Sequence, residues 1–348
     1  MSLILRQSLA RNEAEKRVMT QQWAELCQLR SNSETDVQQL LSLTLNRDLH
    51  GNAARTPAEA YREFDQTTKI DMVPAGEFAT LTRLMQKSRA VSIGREVFEY
   101  RKASDAGNGQ SSISGQIGIK MDHVDYKYAG TVVPVHDLAF GRRWREVESM
   151  RAEGFDALVD DSRESERELM RTIENYMWDG DESINIKGNV WKGIKADPTV
   201  AQSSITTDLS ASASTADAIR IEVRTQRDVL YIANNCTQPL KLGVSREIMS
   251  NWERPFSTNE GTFGTILDMV MRLRGISEVY EDSRLVGNQI VMYWDDQQGF
   301  HPVVGMGMST YATPRVNHND DFRFIKWAAV GFLAKTDYEG RKCALYGS

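Results

Sequence analysis

From Arg142 to Trp178, apolar and small residues return every three or four positions: Val147, Met150, Gly154, Leu158, Ser162, Ser165, Leu169, Ile173 and Tyr176. That is the period of an α-helix, and at about 1.5 Å per residue the segment would run roughly 55 Å. The middle of its stripe is Gly and Ser rather than apolar knobs, so a coiled-coil seam is not expected. Gly154 costs about 1 kcal/mol relative to Ala and marks a candidate break. The opposite face carries Arg163, Glu164, Glu166, Arg167, Glu168 and Arg171. Such a face is expected to be solvated and supported by i,i+4 pairs, or to meet neighbours through ion pairs.

Upstream the period changes to two. Val91, Ile93, Val97, Glu99 and Arg101 alternate with Phe98 and Tyr100, and alternation resumes at Ile117, Ile119, Met121 and His123. The Gly/Ser/Asn-rich stretch 103–112 between them predicts a hairpin with a long connection. Its arms are charged and thinly apolar, and a two-stranded hairpin is barely stable alone in water. It is therefore expected to project onto another surface, most simply another chain. Thr131–Val135 reads as a strand. Residues 1–50 read as two narrow-striped helices, with Val18, Met19, Trp23, Leu26 and Cys27 on one stripe and Val37, Leu40, Leu41 and Leu45 on the next. Helices this short need a surface to pack on.

Downstream, Thr199–Thr215 is Ser/Thr/Ala-rich, as linkers are. Helices are expected over 216–234, 246–253 and 265–274, the last closed by Gly275. Strands are expected over 240–244, 277–280 and 289–294, with a long strand over 322–335 and a short one ending near Tyr346. Helices and strands intermix without a βαβ rhythm, which predicts an α+β fold.

Composition narrows the function classes. The 348 residues carry a net charge of −6, 41% hydrophobic residues, 5 His and 3 Cys. That apolar content suffices for a core, and no apolar run approaches the roughly 20 residues that span a bilayer. The first residues are too short and charged for a signal segment. Cys27, Cys236 and Cys343 form no CxxC pair; an odd, sparse set argues against a disulfide framework and fits a reducing cytosol.

Candidate chemistry is thin. Asp179, Asp181 and Ser183 occupy the first ligand spacings of a calcium loop, but Ile184 stands where Gly is needed and Val190 where a bidentate Glu is needed. Asp122-His123-Val124-Asp125 and His318-Asn319-Asp320-Asp321 pair imidazole with carboxylate, mostly a surface feature. There is no GxSxG elbow, dinucleotide fingerprint or phosphate loop. Met306 and Met308 read as strand packing, and the dispersed tryptophans as core or interface. Arg142-Arg143-Trp144-Arg145 is the best basic cluster, a poor nucleic-acid footprint in an acidic chain. No catalytic residue, cofactor site or metal site is expected, and the chain is not expected to be an enzyme.

The segment Asn175-Tyr176-Met177-Trp178-Asp179-Gly180-Asp181, followed by Ile186-Lys187-Gly188-Asn189-Val190-Trp191-Lys192-Gly193-Ile194, resembles the end of the spine helix in major capsid proteins of tailed bacteriophages, the Hong Kong 97 fold. The order of hairpin, long helix and inserted domain is similar across nearly the whole chain. The resemblance implies an N-terminal arm over 1–88, an extended hairpin loop over 89–130, a peripheral domain with the spine helix over 131–198, an axial domain over 199–310, and return strands of the peripheral domain over 311–348. It implies a structural protein whose main partner is itself, in hexameric and pentameric capsomers of an icosahedral shell. Portal, scaffolding or decoration proteins would be further partners. The shell would enclose double-stranded DNA without sequence-specific contact, be assembled in the host cytoplasm and end in the virion. The family's Lys–Asn crosslink cannot be assigned to residues here and is not expected. An encapsulin-type compartment shares the fold; a soluble α+β enzyme is the rival of another class.

Overall fold

A computed structural model describes residues 72–107, 111, 113, 123–152, 157–256 and 264–348, with eight scattered helical positions between 13 and 28. The chain divides into two units, Met1–Thr68 and Lys69–Ser348. Most of the helices expected over 1–50, including the positions of Cys27 and Trp23, lie outside the described residues, as does the strand expected over 117–122.

The second unit is α+β. Its elements, in chain order, begin with α1 (Ala79–Met85), β1 (Arg89–Ala90), β2 (Val97–Ala103), β3 (Tyr126–Val132) and β4 (Val135–Arg142). Then come α2 (Trp144–Ala152), α3 (Ala157–Asp179), β5 (Ala201–Ser203) and α4 (Ala216–Asp228), which runs into a π-helical turn over Val229–Ala233. The rest are β6 (Leu240–Val244), α5 (Arg246–Trp252), α6 (Ile266–Met271), β7 (Ile276–Glu281), β8 (Ile290–Tyr293), β9 (Phe300–Ala312), β10 (Phe322–Ala334) and β11 (Ala344–Gly347). They build a four-stranded sheet β1-β9-β10-β4, a five-stranded sheet β5-β11-β8-β6-β7, and the separate pair β2-β3.

Several boundaries differ from the expectation. The expected strand Thr131–Val135 is split at Pro134: Val132 ends β3, and Val135 begins β4 in another sheet. Proline has no N–H to donate to a ladder, so the chain changes partners there. The hairpin's return strand is Tyr126–Val132, in register with Val97–Ala103. The long helical segment is α2 and α3 on either side of residues 153–156, which lie outside the described residues and include Gly154. The linker contains the short strand β5, which pairs in parallel with β11. β11 itself, expected among the return strands of the peripheral domain, sits between β5 and β8.

Strand β8 explains how the cores divide. A strand turns alternate side chains to opposite faces. Val291 and Tyr293 enter a core with Leu169, Ile173, Met177, Trp178, Trp191 and Phe332. Ile290 and Met292 enter a second core with Ile219, Val223, Ile248, Trp252 and Val270 from α4, α5 and α6. Both faces are covered, so β8 is apolar throughout. Its neighbour β11 does likewise, with Tyr346 in the first core and Leu345 in the second.

Helix α3 packs on the four-stranded sheet, which is why its stripe is small and polar. Ser165 donates to the carbonyl of Asp161 at 2.6 Å. Lys326 of β10, only 3% exposed, donates to the Ser162 carbonyl and lies 3.4 Å from Glu166. Large residues at 162 and 165 would hold that strand away. The charged face has long-range partners as well: Glu77 accepts from both Arg167 and Arg171. The short-range pairs on this face, Arg171–Glu168 and Arg167–Glu164, are i,i+3.

Candidate assembly surface

The residues after the long helix build a close backbone crossing. Gly180 and Gly193 both have positive φ, at 67° and 84°. A Cβ on Gly180 would lie 2.3 Å from the Lys192 carbonyl carbon, and one on Gly193 would lie 2.4 Å from the Asp179 carbonyl carbon. Only glycine permits this conformation at this distance. The crossing satisfies the orphan carbonyls at the end of α3. Ile194 N–H donates to Met177 and Lys195 N–H to Trp178. The Trp191 indole N–H donates to the carbonyls of Tyr176 and Met177, at 3.1 and 3.2 Å. The loose sequence motif is thus a helix stop with a buried tryptophan as its peg.

The turn that follows reaches the hairpin. Asn189 donates to Glu99 of β2 at 2.9 Å. Across the hairpin base, the Tyr100 hydroxyl accepts from Thr336 N–H at 2.8 Å, and Lys102 donates to the Thr336 hydroxyl. The Lys127 ammonium lies 4.1 Å from the centre of the Tyr338 ring. Beyond this base the hairpin pairs with no further strand among the described residues. Tyr126 and Tyr128 are 57% and 69% exposed. Other large apolar side chains stand exposed at Val135, Ile221, Ile232, Val286, Tyr311 and Val316.

The residues weighed for chemistry are placed apart. Asp179 pairs with Lys195 and Arg284, while Asp181 accepts from the backbone and hydroxyl of Ser183 in a tight turn. His123 is exposed, 3.6 Å from Asp125. His318 packs near Trp144, and Asp320 caps the backbone N–H groups of Val316 and Asn317. His301 is fully buried; burial first, then Lys335 and Arg89, push its pKa down to about 4, so the ring is neutral. Among the described residues no group of three or more His, Cys, Asp or Glu could hold a metal ion, and no helix is long and apolar enough to cross a membrane.

One cysteine expectation is corrected. Cys236 and Cys343 are joined in a disulfide, with Cα atoms 5.5 Å apart and a sequence separation of 107. No short spacing signals such a pair. It forms because the end of the π-helical turn is folded against the start of β11. In the same place Asn234 accepts from the backbone N–H of Lys342.

No curated protein has a sequence that matches this chain. Among solved structures, the chain is similar to the capsid of Myoviridae phage XM1, with a TM-score of 0.62 at 10% identity over 85% of this chain and 100% of that one. It is similar to a chain of Mycobacterium phage Che8, with a TM-score of 0.55 at 11% identity over 86% of this chain and 98% of that one. It is also similar to a virus-like particle from Pyrococcus furiosus, with a TM-score of 0.50 at 12% identity over 77% and 91%. The fold is therefore the Hong Kong 97-type capsid fold. With a family model matching residues 52–347, the chain belongs to the family described as a family of unknown function (DUF6260), built on that fold.

Proposed function

We propose that this protein is the major capsid protein of a tailed double-stranded DNA bacteriophage, and that copies of it assemble into an icosahedral shell around the genome. The observation that carries the reading is the capsid fold matched over most of the chain, with a hairpin that pairs with no further strand among the described residues. Shell assembly joins many modest interfaces by geometric closure and needs no catalytic group. In this reading the hairpin lies over an adjacent subunit, and the residues before it contact neighbours. Capsomers are hexamers and pentamers; portal and scaffolding or decoration proteins join during assembly in the host cytoplasm. The excess negative charge suits a wall that must not hold packaged DNA tightly.

The likeness to the Pyrococcus furiosus particle favours a second reading, an encapsulin-type shell around a protein cargo. Contents separate the two, DNA against protein. The first test is electron microscopy with light scattering on the purified full chain. Particles of megadalton mass are expected. A stable monomer at high concentration, with no shell even beside a scaffolding protein, would overturn both readings.

A further inference from the structure

We propose that a cavity at the base of the hairpin binds a single oxyanion group, a phosphate or a carboxylate. The cavity holds about 420 Å³ and is lined from four separate places in the chain: the end of β2, the turn after the π-helix, the β8–β9 connection and the β10–β11 loop. Lys102 and Lys335 both line it, each ammonium 5.6 Å from the centre of the Tyr100 ring. Arg101 lines it too, its guanidinium 5.3 Å from the centre of the Tyr126 ring. Among the described residues its one lining carboxylate, Asp337, is engaged by Arg341. Among the described residues, the other three cations have no carboxylate within ion-pair distance.

The chemistry is that of an anion receptor. Lys335 is partly buried, and its pKa is lowered first by that burial and then by Arg89, with Asp296 opposing. An ammonium withdrawn from water without a counter-ion is disfavoured, and an oxyanion in contact removes that penalty. Lys102 is held in place by its bond to the Thr336 hydroxyl. Asn235 and Gln298 also line the cavity, and their side-chain amides make no hydrogen bond among the described residues, leaving N–H donors for oxygen. A charge of this sign, recessed in an acidic chain, attracts a small anion locally. A recess of this size suits one group rather than a nucleic-acid backbone. Free phosphate and an Asp or Glu side chain of a second copy present the same oxygen chemistry; the second source rests on the shell reading.

Two arms test the proposal on the full chain. In the first, inorganic phosphate is titrated at constant ionic strength into unassembled protein, read by calorimetry and by thermal shift. Saturable binding is expected, at least tenfold weaker in Lys102→Gln/Lys335→Gln and unchanged in Arg143→Gln. In the second, particles assembled from isotopically heavy and light chains are treated with a carbodiimide, which joins a touching carboxylate and amine. Heavy–light peptides containing Lys102 or Lys335 would identify the carboxylate of a second copy. Either result supports the site. The absence of both phosphate binding and such a cross-link would overturn it. If no particles form, the shell reading fails and phosphate alone decides.

Discussion

At the scale of single residues, the sharpest constraints lie where backbones or buried charges meet. Gly193 sits at positive φ with two carbonyl groups in the place of a Cβ. Gly193→Ala should therefore cost roughly 2 kcal/mol or more, since a strained backbone alone costs about 1–3 kcal/mol. Urea melts read by tryptophan fluorescence would check this; an unchanged midpoint would mean the crossing is loose. Gly188, also at positive φ but with open space around it, should tolerate Asn far better.

Glu174 is the second such residue. It is 2% exposed, and one carboxylate oxygen has no hydrogen-bond partner. Burial first, then the charge of Asp282, with Glu77 adding and Arg284 opposing, push its pKa up to about 7. Asp282 itself is fully buried and accepts from the backbone N–H and hydroxyl of Thr80. The sign follows from linkage. The folded state holds the Glu174 proton more tightly than the unfolded state, so this contribution is complete below the ordinary carboxylate pKa and is lost as pH rises through about 7. Stability should fall across that window, and Glu174→Gln should flatten the profile. Melting temperatures of both proteins from pH 5 to pH 8 provide the measurement; parallel profiles would remove Glu174 from the account.

At the scale of elements, the hairpin and the disulfide carry the predictions. The hairpin is anchored at its base through Tyr100, Lys102 and Lys127, and among the described residues no strand covers it beyond that base. Deleting residues 103–112 should leave a folded subunit, judged by circular dichroism, that assembles poorly. Unimpaired particles would count against an intersubunit hairpin. The Cys236–Cys343 bond closes a loop of 107 residues. Disulfides are typically worth about 2–4 kcal/mol, and more as the loop lengthens. Reductant or Cys236→Ser should lower stability by that order, measured by denaturant titration with and without dithiothreitol. If reductant has no effect on the wild type, the bond contributes nothing to stability.

Some elements were legible in the chain because their signals are local. The strand over 322–335 and the helices beginning at Ala216, Arg246 and near Thr265 follow from periodicity and capping residues. Thr215, Ser245 and Thr265 each accept from the N–H three residues on. Strand β9 was visible only as a place where Met306 and Met308 would pack, because its Gly-interrupted, Pro-containing run has no clean alternation. Of the hairpin's return arm, the described part is Tyr126–Val132, where the sequence carries no clean alternation; the stretch 117–122, where alternation was read, lies outside the described residues. At the candidate surface, the glycine-rich stop after α3 could be read from its residues. The cavity beside Tyr100 could not, because residues from 100 to 343 meet there only after folding.

At the scale of the whole chain, the order of hairpin, long helical segment, intermixed helices and strands and the long strand β10 could be read by itself, because period and turn chemistry are written over short windows. So could the scarcity of His and Cys, which is a matter of composition. Only the tertiary structure decided that β11 would join β5 and β8, that Cys236 would reach Cys343, and that Glu174 would face Asp282. Each of these is a meeting between residues more than fifty positions apart. Such meetings are set by which faces must leave water together, and no local pattern encodes the partner.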